Sequence, residues 1–325
     1  VSNIVYQNDV YNSDVKNQYI SEIKSSSSIF RIFKAAAPLE EFFGKDLYNF
    51  NREELRSLFF VLNPSKINAS YQNGALVSGY LEWAIQHGYR KAINPLLSVD
   101  REYYKQFVNA GKIYFTEEEL ENFISKCKNA QDAVIIRLKM EGVGGVANSE
   151  LINLKIGDVN EEKRELRLMN HEGEIRYLTV SDKCISLCLA AQRQQTYLKK
   201  NGAYKKETKA TTTKLVENDY ILRSSITRTE SYQEAEKHLI HRRLKVLSDF
   251  FNEPYLTSTN IMYSGMLIMA RDIYKETGKL DVVNCSAILT KFGFDDVGEG
   301  GELAYYRFKK EFLNVEKVKE LYGLD

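Results

Sequence analysis

The sequence predicts a mainly α-helical protein of two domains. A small all-helical domain spans residues 1–110, and a larger one at 111–325 combines helices with a small antiparallel sheet. Three observations lead there. Apolar residues recur at helical spacing through the first hundred positions, with turn residues between the runs. The period shortens to two only around residues 165–180. A length of 325 residues with 43% hydrophobic and 27% charged content suffices for two ordinary cores.

The elements follow in order. Ser25 to Ala37, with Ile29, Phe30, Ile32, Phe33 and Ala36, predicts a helix that Pro38 should stop or kink; Leu39 to Phe43 continues the apolar pattern. Asn51 caps a segment to Leu62 that carries Glu53 and Glu54 in its first turn. Leu76, Tyr80 and Trp83 mark the next helix, which Gly88 follows, and Asn94-Pro95 breaks the pattern. Residues 97–114 read as an inter-domain linker. Thr116 and Glu119 then form a capping box, a helix follows at about 130–140, and another starts at Asn148 or Ser149. Glu165–Met169 and Ile175–Val180 flank a turn at Gly173 and predict a hairpin or short meander. Helices resume at Asp182. A basic, Thr-rich loop at 199–214, a short extended piece at Tyr220-Ile221-Leu222 and a helix at about 232–251 come next.

Composition narrows the function classes. No apolar run approaches the roughly 18 residues that cross a bilayer. The first residues lack the basic-then-apolar pattern of a signal peptide, so a soluble cytoplasmic protein is expected. Cys127, Cys184, Cys188 and Cys285 show no zinc spacing; reduced, mostly buried thiols are expected, with no metal and no cofactor. Cys184 and Cys188 lie one helical turn apart and suit a core stripe. Net charge is only +1, but it is segregated. Arg193, Lys199, Lys200, Lys205, Lys206, Lys209 and Lys214 oppose a lone acid, Glu207, and KHLIHRRLK at 237–245 contains no acid. Either cluster alone reads as a solvated face. Together they permit a basic surface on a nearly neutral protein.

The order of motifs resembles the tyrosine recombinase (phage integrase) family along nearly the whole chain. SYQNGALVSGYLEWAIQHGYRKAINPL at 70–96 is similar to the last helix of that family's core-binding domain, and YFTEEEL at 114–120 to the opening of its catalytic domain. GVGGVANSELINLKIGDV at 142–159 matches the first arginine box in all but the arginine; YILRS at 220–224 and PYLTSTNIMYSGM also fall in family order. The resemblance implies a helical core-binding (SAM-like) domain followed by an integrase catalytic-like domain. In active members two arginines and a histidine or tryptophan hold the scissile phosphate, a hairpin lysine protonates the leaving oxygen and a tyrosine attacks.

Carried over residue by residue, most of those groups are replaced. Ala147 stands at the first arginine, no lysine occurs between Lys163 and Lys183, Thr259 and Met262 occupy the histidine-x-x-arginine positions, and Phe294 follows Gly293 where a histidine is expected. Tyr305 or Tyr306 remains as the nucleophile position, but with 21 tyrosines in the chain both read as packing residues first. Losing one preorganised donor already slows such chemistry about 10²–10³-fold. The expectation is therefore a protein that binds double-stranded DNA and does not cut it.

Overall resemblance to the integrase-like repressors of SPβ-type prophages implies repression of phage promoters and maintenance of lysogeny. Its expected partners are operator DNA and a protein antagonist, and its expected state is a monomer or DNA-dependent dimer. On the predicted helix at 232–251, Ile240, Leu244, Leu247 and Phe251 form one stripe, with His238, His241, Arg242 and Lys245 opposite. In related proteins such a helix lies in the major groove, which would aim Arg242 at guanine edges or phosphates. Arg243, also a candidate contact, falls between apolar neighbours and is expected to snorkel past them instead. Lys199, Lys200, Lys205 and Lys206 are candidate backbone contacts. In the small domain Lys24, Arg31, Lys34, Lys66, Tyr71 and Asn73 complete the set. The alternatives are a recombinase using Tyr305 or Tyr306, and a protein-interaction module without specific DNA binding.

Overall fold

The computed structural model describes residues 6, 8–24, 26–109, 111–204, 210–227, 233–236, 238–294 and 301–324, with side chains from 305 in the last segment. The chain divides into two units, Val1–Gly111 and Lys112–Asp325. No helix among the described residues is long and apolar enough to cross a membrane. Nor does any group of three or more His, Cys, Asp or Glu side chains among them suit a metal ion.

The first unit contains α1 (Ser13–Glu22), α2 (Ser27–Phe43), α3 (Arg52–Leu62) and α4 (Ile67–Gln86). Asn51 and Glu54 close a reciprocal capping box at the start of α3. The core gathers Ile29, Ile32 and Phe33 of α2, Leu55, Leu58 and Phe59 of α3, and Val77, Tyr80, Leu81 and Trp83 of α4. Two expectations need correction. α2 runs through Pro38 instead of stopping there. Pro38 has no N–H to give the Lys34 carbonyl, and that carbonyl accepts from Asn8 Nδ2 at 3.3 Å instead. Burial of Glu40 and the packing of Leu39 and Phe43 against the core favour the extra turn. Much of the expected linker is likewise core. Tyr104 and Phe107 are buried in the first unit, and Val99 and Tyr103 pack against the same core. Tyr104 can land there because Gly74 has no side chain: a Cβ at Gly74 would lie 2.1 Å from the ring.

The second unit opens with α5 (Glu117–Lys126), capped reciprocally by Thr116 and Glu119, and α6 (Ala130–Glu141). α6 is buried all round, from Gln131 to Met140. It crosses α10 (Ser258–Thr277) at Gly265, where a Cβ would be 2.1 Å from the Met140 carbonyl oxygen. α7 (Ser149–Asn153) leads to the antiparallel sheet of β1 (Val159–Asn160), β2 (Glu165–Met169) and β3 (Ile175–Thr179), with Leu166 opposite Leu178. Asn170 Oδ1 organises the turn by accepting from the backbone of Glu172 and Glu174, with Gly173 at φ 85°. α8 (Asp182–Arg193) buries Cys184 and Cys188 in the core, both as free thiols.

The basic Thr-rich loop is partly regular. β4 (Thr196–Leu198) pairs antiparallel with β5 (Thr212–Lys214), and Lys199–Gly202 forms a 3-10 turn. α9 (Leu239–Phe251) starts later than the sequence suggests, because residues 233–236 are not helical. α11 (Val282–Lys291), α12 (Gly301–Glu311) and α13 (Val315–Tyr322) build a second cluster around Met266, Phe292, Phe308, Phe312 and Val318.

Candidate nucleic-acid interface

The segment between α6 and α7 holds Ala147 in an unusual backbone. Gly145 has φ 75°, Ala147 φ 54° and Asn148 φ 64°. Left-handed geometry disfavours Ala, so the surroundings must hold it. They do: Asn148 is buried and its Oδ1 accepts from Ser258 Oγ at 2.6 Å, while Glu150 N donates to the Gly144 carbonyl. The Ala147 methyl itself is exposed.

Beneath this turn lies a charge cluster that the sequence reading missed. Glu150 Oε1 accepts from Arg176 Nε at 2.6 Å, and Oε2 accepts from Arg176 Nη2 at 2.7 Å and from Gly144 N at 2.6 Å. Arg176 also donates to the carbonyls of Lys291 (2.9 Å) and Gly142 (2.7 Å). Its fork is thus committed to a carboxylate and two backbone oxygens. Lys139 is buried nearby, its Nζ 3.8 Å from Met262 Sδ. Burial pushes this ammonium down to about 8; the Glu150 carboxylate opposes the shift and Arg176 adds to it. The hairpin offers an inward-turned arginine where a lysine was sought. Alternation contained the signal, since Arg176 shares a strand face with buried Leu178.

The other positions expected to be replaced lie in or just beyond the helices of the second unit. Met262 is buried in the second cluster, Thr259 is half-buried in the first turn of α10, and the Phe294 ring meets Phe308 edge-on at 4.9 Å. The two tyrosines differ. Tyr305 is buried among the α10–α12 aromatics, whereas Tyr306 is 59% exposed.

On α9 the expected face exists. His238, His241 and Arg242 are exposed and Lys245 half-exposed, while Ile240, Leu244 and Leu247 are buried. Arg242 Nη1 pairs with Glu236 Oε2 at 2.7 Å and Lys245 with Asp249, both on the surface. Such exposed pairs exchange readily with other anions. Partial burial lowers the His241 affinity for a proton, and the charges of His238 and Lys139 lower it further. Arg243 is a correction. It is 5% exposed and turns inward onto α6, so it does not snorkel to the surface. Sequence spacing placed it between faces, and the polar partners that draw it in lie more than a hundred residues upstream, at Gln131 and Asp132.

In the basic loop, Lys199 is half-buried and Lys200 exposed at φ 50°. Buried Asn201 pins this turn to the end of α5, accepting from Lys128 N at 2.6 Å. Lys205 and Lys206 lie outside the described residues. In the first unit Lys24 and Tyr71 are exposed, and Lys34 and Lys66 are half-buried. Arg31 Nη2 donates to Asn73 Oδ1 at 2.7 Å. Asn73 is therefore a buried support for Arg31 and not a surface contact as expected.

Comparison with known proteins agrees with this layout. Residues 10–86 match the family description "MrpR, N-terminal core-binding domain", and residues 114–323 match "MrpR, C-terminal catalytic domain". An SPbeta prophage-derived uncharacterized protein, YopR of Bacillus subtilis (strain 168), is 31% identical over 320 residues, covering 97% of each chain. Similar solved structures include the XerA recombinase, at 14% identity, TM-score 0.41 and 96% of each chain. Another is the Tn1549 transposon integrase in complex with circular intermediate DNA, at 11% identity and TM-score 0.42, covering 92% of this chain and 99% of that one.

Proposed function

The chain belongs to the MrpR family, and from that premise we propose that it is a sequence-specific double-stranded-DNA-binding repressor of a prophage that leaves DNA uncut. The observation that carries the reading is the pairing of two surfaces. At the box region, Ala147 presents a methyl group, and the nearby cations Arg176 and Lys139 are turned inward around Glu150. On α9, His238, His241, Arg242 and Lys245 face outward at helical spacing. In this reading the first surface provides no clamp for a pentavalent phosphate. The second suits phosphate neutralisation and base-edge reading, which need charge and register but no acid–base chemistry. The prophage origin named for the YopR relative supports the lysogeny role.

In this reading Arg242 reads base edges, while Lys199, Lys200, Lys205, Lys206 and Lys245 neutralise phosphates. Lys24, Arg31, Lys34, Lys66 and Tyr71 extend the contact from the first unit. The protein acts in the cytoplasm as a monomer or DNA-dependent dimer, with a protein antagonist as a candidate second partner. Genome-wide footprinting followed by a gel shift on the recovered motif tests the binding. Nicked suicide DNA tests the chemistry: no covalent phosphotyrosine adduct should form. An adduct lost in Tyr305→Phe or Tyr306→Phe would establish a recombinase and overturn the reading.

A further inference from the structure

Arg243 occupies the inward side of α9 and is held from several directions. Nη1 donates to Gln131 Oε1 at 2.9 Å, Nη2 donates to the Arg223 carbonyl at 2.6 Å, and Nε lies 3.7 Å from Asp132 Oδ1. The guanidinium stacks 4.8 Å from the centre of the Tyr197 ring. Each anchor is itself fixed. Gln131 Nε2 donates to the carbonyls of Ala191 (2.9 Å) and Ile221 (2.6 Å), and its Oε1 also accepts from Arg223 N. Asp132 accepts from Asn129 Nδ2 and from the Tyr197 hydroxyl, each at 3.0 Å. Apolar contacts through Ile240, Leu244 and Leu247 hold α9 down but tolerate small slides and rotations, because dispersion is not directional. A planar fork hydrogen-bonded to two fixed acceptors and paired with a fixed carboxylate does not tolerate them.

We infer that Arg243 is a positioning residue for DNA recognition, setting the rotation and axial register of α9 so that His238, Arg242 and Lys245 meet base edges and phosphates in one alignment. This rests on the proposed function. It assigns the buried arginine a role in sequence discrimination without any contact to DNA. A one-residue rotation of α9 would turn Arg242 by about 100°. Charge would still meet phosphate, but a bidentate base contact would be lost.

The test uses the full chain, a duplex carrying the footprinted motif and a shuffled duplex of equal length, across a salt series. Arg243→Lys keeps the charge and removes the fork. The double variant Arg243→Met with Asp132→Asn removes the buried charge together with its partner, guarding against misfolding from an uncompensated Asp132. Circular dichroism confirms that each variant is folded. The expected result is a loss of discrimination between the two duplexes of about tenfold or more, with shuffled-duplex affinity within about twofold of wild type. The salt slope should not change. A purely structural role lowers the unfolding midpoint but leaves the affinity ratio of folded protein intact, and that outcome overturns the inference. A slope smaller by about 0.9 also overturns it, because Arg243 would then be neutralising a phosphate. Wild-type protein with no preference for any duplex instead overturns the proposed function itself.

Discussion

Replacing Glu40 by Gln should remove a pH-dependent weakness in the first unit. Lys16 of α1 is fully buried and donates to Glu40 Oε1 at 2.5 Å and to Asp46 Oδ2 at 3.4 Å. One ammonium therefore serves two buried carboxylates. Glu40 Oε1 also accepts from Leu47 N at 2.7 Å, while Oε2 has no hydrogen-bond partner among the described residues. The surrounding groups add little positive charge: Tyr80 donates to Asp46 at 3.0 Å, and the Tyr48 hydroxyl also feels both carboxylates. Burial raises the Glu40 carboxyl from its ordinary 4.5 to about 7; Lys16 opposes the rise and the Asp46 charge adds to it.

The folded protein thus holds this proton more tightly than the unfolded chain does. The associated stability is fully present below about pH 4.5 and is lost as pH rises through about 7, a difference of order 3 kcal/mol. The chain's one tryptophan, Trp83, lies in the same core at 7% exposure, so its emission follows unfolding of this unit. His87 stacks on Trp83 at 4.5 Å, so its ring is part of the indole's surroundings. The observable is therefore the denaturant midpoint, measured in a His87→Gln background. The midpoint should fall between pH 5.5 and 8.5, and Glu40→Gln should flatten the curve and raise the midpoint at pH 8.5. Asp46→Asn leaves one carboxylate opposite Lys16 and should shrink the dependence. A flat curve in the parent protein, or one that persists in Glu40→Gln, would refute the reasoning.

Three further outcomes are expected. Lys139→Met should stabilise the second unit at pH 7 by about 1–3 kcal/mol, because a buried ammonium is replaced by a matching apolar chain and Glu150 keeps Arg176. The folded protein holds the Lys139 proton less tightly than the unfolded chain does, so this gain should decline as pH rises from about 8 toward the ordinary lysine range, as read by circular dichroism. Gly265→Ala should destabilise the same unit by about 1–3 kcal/mol or more, since its Cβ must displace the Met140 carbonyl, and thermal melting measures this. Arg242→Ala should weaken binding to the footprinted motif by about 1–3 kcal/mol and relax its sequence preference, whereas truncating Lys205 and Lys206 should lower the salt slope by about 1 each; gel shifts across a salt series separate the two.

The sequence by itself determined whatever depends on neighbours a few residues apart. The capping boxes at Asn51 and Thr116, the hairpin around Gly173, the Cys184–Cys188 stripe and the cationic face of α9 are all local patterns, and a short stretch of chain contains their cause. Only the tertiary structure decided where charges meet across long loops. Pro38 stays inside α2 because Asn8 serves the carbonyl it abandons, and Tyr104 joins the first core because Gly74 leaves room. Arg176 reaches Glu150 and the Lys291 carbonyl, and Arg243, expected to reach the surface, is buried against Gln131 and Asp132. A cation goes where its desolvation is compensated, and the partners that compensate it can lie more than a hundred residues away.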